Sequence, residues 1–475
     1  AFEADESPEE RARWFQAYLD KQGALESDVG EQRTIFDEQF PPGFFAHRNA
    51  FATDGKYGSW LLTKPIVVVI NRTAYVHGGV SPMIAEIGLA GVNEQLHGEM
   101  VQYVRQLEVL VDAGVLLPSD DFYSHPKKLQ SLTTLFTTDD SVAAAAADVI
   151  RLNDSDLHSM DGPLWYRGNV GCCELIEVDR LNASLQAIGA DRVVIGHTPT
   201  EGRKIYARFG GKVIEVDTGM LNSYYEGRGN ALIVSGDKFG AINERGKEWP
   251  ELLPHPRYVG QRPPGLSDDE IQKLLANGEI IADRDDSGGR RIVSISNGKQ
   301  VIDAEFVRRT GRNFYPQVAA YRLDRLLALD MVPVAVKREF DGTDGALLFW
   351  PVGMTNEERR REAGWGGGAM CPLPVQWEAM LIFDALIYNE SRFLTTIQYD
   401  KSSWQLVLTG HYDAFGTSKG RPRHLGEIPL RPGPTWQAAM RNLTDERLEE
   451  ALGDVLDGRR IRALRARRDA LLLGR

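Results

Sequence analysis

Pro250, Pro254, Pro256, Pro263 and Pro264 crowd into one short stretch of the chain. Proline fixes its own φ and has no backbone N–H, so such a stretch continues neither a helix nor a central strand. It breaks the chain into two parts that must each find a core. The reading places a first domain over residues 1–245, a linker over 246–268 and a second domain over 269–475. With 475 residues, of which 42% are hydrophobic and 26% charged, there is enough ordinary globular sequence to supply both.

Acidic residues outnumber basic ones, 67 to 55, for a formal net charge of -12. That balance does not invite phosphate backbones or anionic lipid, so nucleic acid is not an expected partner. The longest uncharged hydrophobic run, Pro65 to Ile70, falls far short of the roughly 20 residues that cross a bilayer, and no membrane span is expected. Cys172, Cys173 and Cys371 form no CxxC pair, and neighbours in sequence seldom bridge each other. This excludes a disulfide framework and leaves the compartment open. The chain starts Ala1-Phe2-Glu3-Ala4, with neither Met nor a basic-then-apolar leader, so either a leader was removed or the numbering starts inside a longer protein.

Periodicity orders the first domain. Residues 6 to 60 carry apolar positions at helical spacing, as in Arg11-Ala12-Arg13-Trp14-Phe15, and predict a helical cover. Pro65 to Ile70 and Thr73 to Val76 read as two buried strands joined by an Asn71-Arg72 turn. Residues 84 to 155 return to helical spacing and include the alanine run Ala143 to Ala147. Arg192 to Ile195, Lys212 to Val216 and Ala231 to Val234 then read as strands, and the alternation predicts a layered α/β domain.

Two histidines stand where apolar strands break into glycine. Val76-His77-Gly78-Gly79-Val80-Ser81-Pro82 is one setting and Ile195-Gly196-His197-Thr198-Pro199 the other. Loops at the carboxyl ends of strands are where open α/β sheets hold ligands, and neutral imidazole is a common ligand for Zn, Fe or Mn. Each histidine can equally bond backbone at a strand end. Asp217, in Asp217-Thr218-Gly219, is a carboxylate at a third strand end or simply the head of an Asx turn. Arg167, in the loop Leu164-Trp165-Tyr166-Arg167-Gly168, offers either a fork for a phosphate or a cation to an aromatic ring.

These segments, in this order, resemble calcineurin-like metallophosphoesterases, and among them the Shewanella-like protein phosphatases. The resemblance covers about residues 1 to 240. It implies that His77 and His197 are ligands of the second metal of a dinuclear centre, and that Arg167 holds the substrate phosphate as a catalytic and substrate-binding residue. The same family uses upstream Asp-x-His, Gly-Asp-x-x-Asp-Arg and Gly-Asn-His-Glu motifs, none of which is present. The implied fold is a partial calcineurin-like α/β sandwich, N-terminally truncated. The implied cofactors are two divalent metal ions (Mn, Fe or Zn) in the intact parent, with an incomplete site in this chain.

Beyond the linker, the helix pattern Gln317 to Ala328, the segment Phe383-Asp384-Ala385-Leu386-Ile387-Tyr388-Asn389 and the strand Leu406-Val407-Leu408-Thr409-Gly410-His411 are similar to atypical kinase-like domains of the Fam20 and phosphoinositide-kinase-like group. The similarity spans about residues 270 to 470 and implies an α+β domain. It maps the catalytic Asp to Ser391, the metal-binding Asn to Thr396 and the metal-binding Asp to Gly410. The nucleotide lysine is expected near Val307-Arg308 and the helix glutamate near Gln317, where neither residue occurs. Losing these groups removes the machinery that positions a phosphoryl group, so a pseudokinase is expected, the alternative being Asp413 or Glu390 as a displaced substitute.

The expected function is metal-dependent phosphoester hydrolysis in the intact parent, acting on a phosphorylated protein or small phosphoester. The alternative is a binding or scaffold protein built from a pseudophosphatase and a pseudokinase. Export to a periplasm or to the outside is the compartment suggested by relatives.

Overall fold

The computed structural model describes residues 2–23, 28–132, 140–255, 266–286 and 288–474. It is a mixed α/β protein with several sheets. Residue contacts divide it into two units, Ala1–Tyr166 with Ser184–Val193, and Arg167–Ala183 with Val194–Arg475. Pro256, Pro263 and Pro264 lie outside the described residues.

The first unit begins with helices α1 (Pro8–Gln22), α2 (Val29–Gln39), α3 (Phe44–Ala50) and α4 (Gly58–Leu61). Ser7 caps α1 by accepting from Glu10 N, with Pro8 at its first position, a standard helix start. The predicted cover is held by its rings, Phe15 and Tyr18 packing edge to face on Phe36, which stacks on Phe45. Strands β1 (Val67–Ile70) and β2 (Thr73–Val76) follow as an antiparallel hairpin. Asn71 and Arg72 both take positive φ, 47° and 59°, which is what a type I′ turn requires. Arginine tolerates that backbone poorly, and Asp191 holds it there through Arg72 Nε at 2.7 Å. α5 (Pro82–Asp112) is kinked at Gly88, and with α6 (His125–Leu132) and α7 (Asp140–Asn153) it closes an aliphatic core around Leu110, Leu116, Leu129 and Val149.

The short α8 (Gly168–Gly171) opens the second unit, and α9 (Glu174–Ala187) and β3 (Arg192–Ile195) run across the points of division. β4 (Tyr206–Arg208) pairs antiparallel with β5 (Val213–Glu215) and parallel with β9 (Leu253–Pro254). After α10 (Asn222–Tyr225), the strands β6 (Asn230–Ser235), β7 (Lys238–Asn243) and β8 (Glu248–Trp249) make a separate three-stranded sheet.

Helix α11 (Asp268–Asn277) starts from a full capping box, Ser267 with Glu270. The strands β10 (Glu279–Asp285), β11 (Arg291–Ser296), β12 (Val301–Arg308), β13 (Ala335–Phe340) and β14 (Thr343–Phe349) form a five-stranded sheet in the order β10-β11-β12-β14-β13, with α12 (Pro316–Leu327) inserted between β12 and β13. Ile302, Ala304 and Phe306 point into the core that Val318, Leu323 and Leu327 of α12 share. Asp303 and Glu305 consequently face the other side. The remaining elements are β15 (Met354–Asn356), α13 (Glu357–Ala363), α14 (Leu373–Ile387), the hairpin of β16 (Ile397–Asp400) and β17 (Leu406–Leu408), and the helices α15 (Pro434–Arg441), α16 (Asp445–Leu452) and α17 (Gly458–Leu472).

The expectation that no disulfide framework exists needs correcting in one respect. Cys172 and Cys371 are bonded across 199 positions, with Cα atoms 4.8 Å apart. Sequence spacing could not show it, because only the fold brings α8 to the start of α14. The same contact is reinforced by Gln405 Nε2 donating to Gly171 O at 2.5 Å, by Arg180 pairing with Glu378 at 3.0 Å, and by Asp179 Oδ1 accepting from Thr435 Oγ1 at 2.7 Å.

Candidate functional site

In the second unit the segment from Tyr388 to Asp413 is built around one buried ion pair. Arg392 donates from Nε and Nη2 to the two oxygens of Asp384 on α14, each at 2.8 Å, and from Nη1 to Thr409 O at 2.8 Å. Asn389 adds a third bond to Asp384 at 3.0 Å. Both charged side chains are out of water, 2% and 0% exposed. Burial, and then the neighbouring Arg392, hold the His411 imidazole neutral, with its pKa well below the usual value.

That knot ties the segment before β16, which carries Ser391 and Thr396, to the segment after β17, which carries Gly410, through Arg392 and Thr409. Thr396 Oγ1 donates to Ser391 O at 2.9 Å. Gly410, at φ 73°, lies so close to Thr396 that a Cβ there would stand 3.1 Å from Thr396 Cβ. Ser391 Oγ donates to Asp413 Oδ2 at 3.2 Å, and Asp413 is exposed. Two hydroxyl side chains and a glycine thus share this corner of the unit.

Beside this loop opens a cleft of about 710 Å³ whose walls include Arg284, Arg290, Asp303, Trp350, Arg359, Thr396 and Tyr412. Its outer wall is cationic but internally paired. Arg284 Nη2 donates to Asp303 at 2.5 Å, and Arg290 pairs with Asp286 at 2.7 Å while stacking over Trp350. Arg359 is exposed. Behind the lining residue Tyr412 lies Glu305, 3% exposed, which accepts from Tyr412 Oη at 2.6 Å. Burial raises the Glu305 pKa, against the hydroxyl bond that lowers it. Sequence reasoning missed this residue. It looked for a lysine near Val307-Arg308, whereas the charged position of β12 in contact with the post-Gly410 loop is a carboxyl two residues earlier. The alternation of β12, with Ile302, Ala304 and Phe306 apolar, was the available signal.

The phosphoesterase-like residues are distributed differently. In the first unit His77 is exposed at the end of β2, and the amides of Gly78 and Gly79 both donate to Pro163 O at 3.0 Å. A Cβ on Gly78 would lie 2.6 Å from Leu164 O, so only glycine allows the His77 turn and the Leu164-Trp165 loop to touch. In the second unit His197 sits past β3 at φ 66°, and its loop meets the Asp217 turn through Thr200 N donating to Asp217 O at 2.9 Å. Asp217 Oδ1 accepts from Gly219 N at 2.9 Å, so its carboxylate serves an Asx turn. Arg167 stands at the N-terminus of α8, half-buried, and desolvation lowers its pKa. Among the described residues no group of three or more His, Cys, Asp or Glu side chains is placed to hold a metal ion. The donors among the described residues do not fit the dinuclear centre that the resemblance implies.

No family model matches the chain. A curated protein of Schizosaccharomyces pombe, described as uncharacterized, is 32% identical over 72 residues, which are 14% of this chain and 20% of that protein. The chain thus spans about a fifth of the length of the curated relative it matches. Two solved structures of the Golgi casein kinase, one with Mn/ADP bound, each superpose with a TM-score of 0.33 at 13% identity, covering 44% of this chain and 75% and 74% of theirs. Similarity of that size carries no inference about the site.

Proposed function

We propose that the C-terminal half is a binding module, kinase-like in plan, whose cleft takes a phosphate-bearing ligand of the nucleotide class and transfers nothing. The observation that carries this is the meeting of Ser391 and Thr396, before β16, with Gly410, after β17, with no carboxylate or carboxamide among the three. Transfer needs a carboxylate to receive the acceptor's proton and metal ions to bridge the phosphates. Hydroxyl and hydrogen supply neither. Arginine forks can hold phosphate oxygens without a metal, and Arg284, Arg290 and Arg359 border the cleft.

Calorimetric titration of the full chain with ATP, with and without magnesium, tests the reading. Dissociation constants that agree within about twofold are expected, together with no phosphate transfer to the chain or to generic acceptors. Tight magnesium-dependent binding, with transfer lost in Asp413→Asn, would sink it, because Asp413 would then be acting as a rebuilt catalytic carboxylate.

A second reading, metal-dependent hydrolysis of phosphoproteins or small phosphoesters by a protein that also supplies the three upstream motifs, draws on the contact of the His77 turn with the Leu164-Trp165 loop. Under this reading the chain alone binds manganese weakly and does not turn over p-nitrophenyl phosphate. Robust hydrolysis by this chain that His77→Ala abolishes would show that a complete centre exists without those motifs.

A further inference from the structure

Strand β6 is the outer strand of the sheet β6-β7-β8, and among the described residues its ladder partner is β7. Its sequence, Asn230-Ala231-Leu232-Ile233-Val234-Ser235, is uncharged and largely apolar, yet Ile233 and Val234 are 42% and 45% exposed. Outer strands are normally guarded against pairing by lysine, proline, an inward charge or a bulge. β6 has none of these, and its register with β7 runs from Asn230↔Asn243 to Ser235↔Lys238 without a shift.

The ladder shows which groups stay unused. The hairpin closes on Ser235↔Lys238 around Gly236-Asp237, and at the other end Glu244 N donates to Gly229 O at 2.9 Å. Residues 229, 231, 233 and 235 therefore bond inward, and the N–H and C=O groups of Asn230, Leu232 and Val234 point away from β7.

We propose that this edge pairs antiparallel with β6 of a second copy of the chain. A two-fold axis through Leu232 sets Asn230 against Val234 of the other copy and Leu232 against its twin, so that every pair matches outward-facing groups. With no charge on the strand, nothing in the pairing is repelled. At the ends the match is electrostatic, since the same axis sets Arg228 of one copy opposite Gly236 of the other, one position from Asp237. Arg228 already pairs at the surface with Glu244, 56% and 44% exposed, a contact loose enough to be shared.

Sedimentation equilibrium of the full chain over about a hundredfold range of concentration should give a monomer–dimer equilibrium. Hydrogen exchange should then protect the amides of Leu232 and Val234 only at high concentration, and those of Ala231 and Ile233 at every concentration. Leu232→Pro removes an outward donor and no bond to β7, and should raise the dimer dissociation constant about tenfold or more. Arg228→Glu and Asp237→Arg, both at the surface, should each weaken the dimer, and their combination should restore it. A chain that stays monomeric throughout, or a dimer indifferent to Leu232→Pro and to the charge exchange, overturns the proposal. A monomer that instead captures an unrelated extended peptide on β6 also counts against it.

Discussion

The His77 turn of the first unit and the Ser391–Thr396 segment of the second differ in what fixes them. The first is held through backbone, the amides of Gly78 and Gly79 donating to Pro163 O, with His77 itself exposed. The second is built around side chains, an ion pair between Arg392 and Asp384 that is 2% and 0% exposed. Positioning and chemistry are separable, and a sequence motif records only the second of them.

Since side chains hold the second region, breaking their ion pair should have the largest effect. Arg392→Ala leaves Asp384 charged and buried, and should cost about 3–5 kcal/mol in urea unfolding of the full chain. Cys371→Ser removes the cross-link and should cost about 2–4 kcal/mol, read in the same experiment under oxidising conditions. Glu305, behind Tyr412, sharpens the comparison through pH. Because burial raises the Glu305 pKa above its ordinary 4.5, the neutral form is the one the fold favours. Its contribution is complete below pH 4.5 and is lost as pH rises through the raised value, so Glu305→Gln should match the wild type in acid and gain on it steadily above pH 4.5. A difference between the two that does not vary with pH would show that the fold does not raise the Glu305 pKa. The smallest effect is expected in the first region. His77→Ala, at an exposed turn, should change stability by no more than about 0.5 kcal/mol and leave manganese affinity unaltered.

Much of the framework was legible. β2 and β3 match the expected bounds Thr73–Val76 and Arg192–Ile195, and α12 lies within a residue of the helix read from Gln317 to Ala328, because apolar periodicity reports burial directly. Ser391, Thr396 and Gly410, named from the resemblance, come together in the fold. What could not be read depends on contacts remote in sequence. Nothing local marks Cys172 as the partner of Cys371, and nothing in residues 167–183 says that they pack in the second unit, as the bonds of Asp179, Arg180 and Gly171 require. Glu305 was missed for a related reason, since a resemblance supplies the residue it expects and does not look for one of opposite charge.

The bond between Cys172 and Cys371 also turns the chain between them into a closed loop. A protease that cuts any peptide bond inside that loop releases nothing, because the two pieces remain tied through sulfur. Nicked and intact molecules would run together on a denaturing gel until a thiol is added, and only then would the position of the cut become visible.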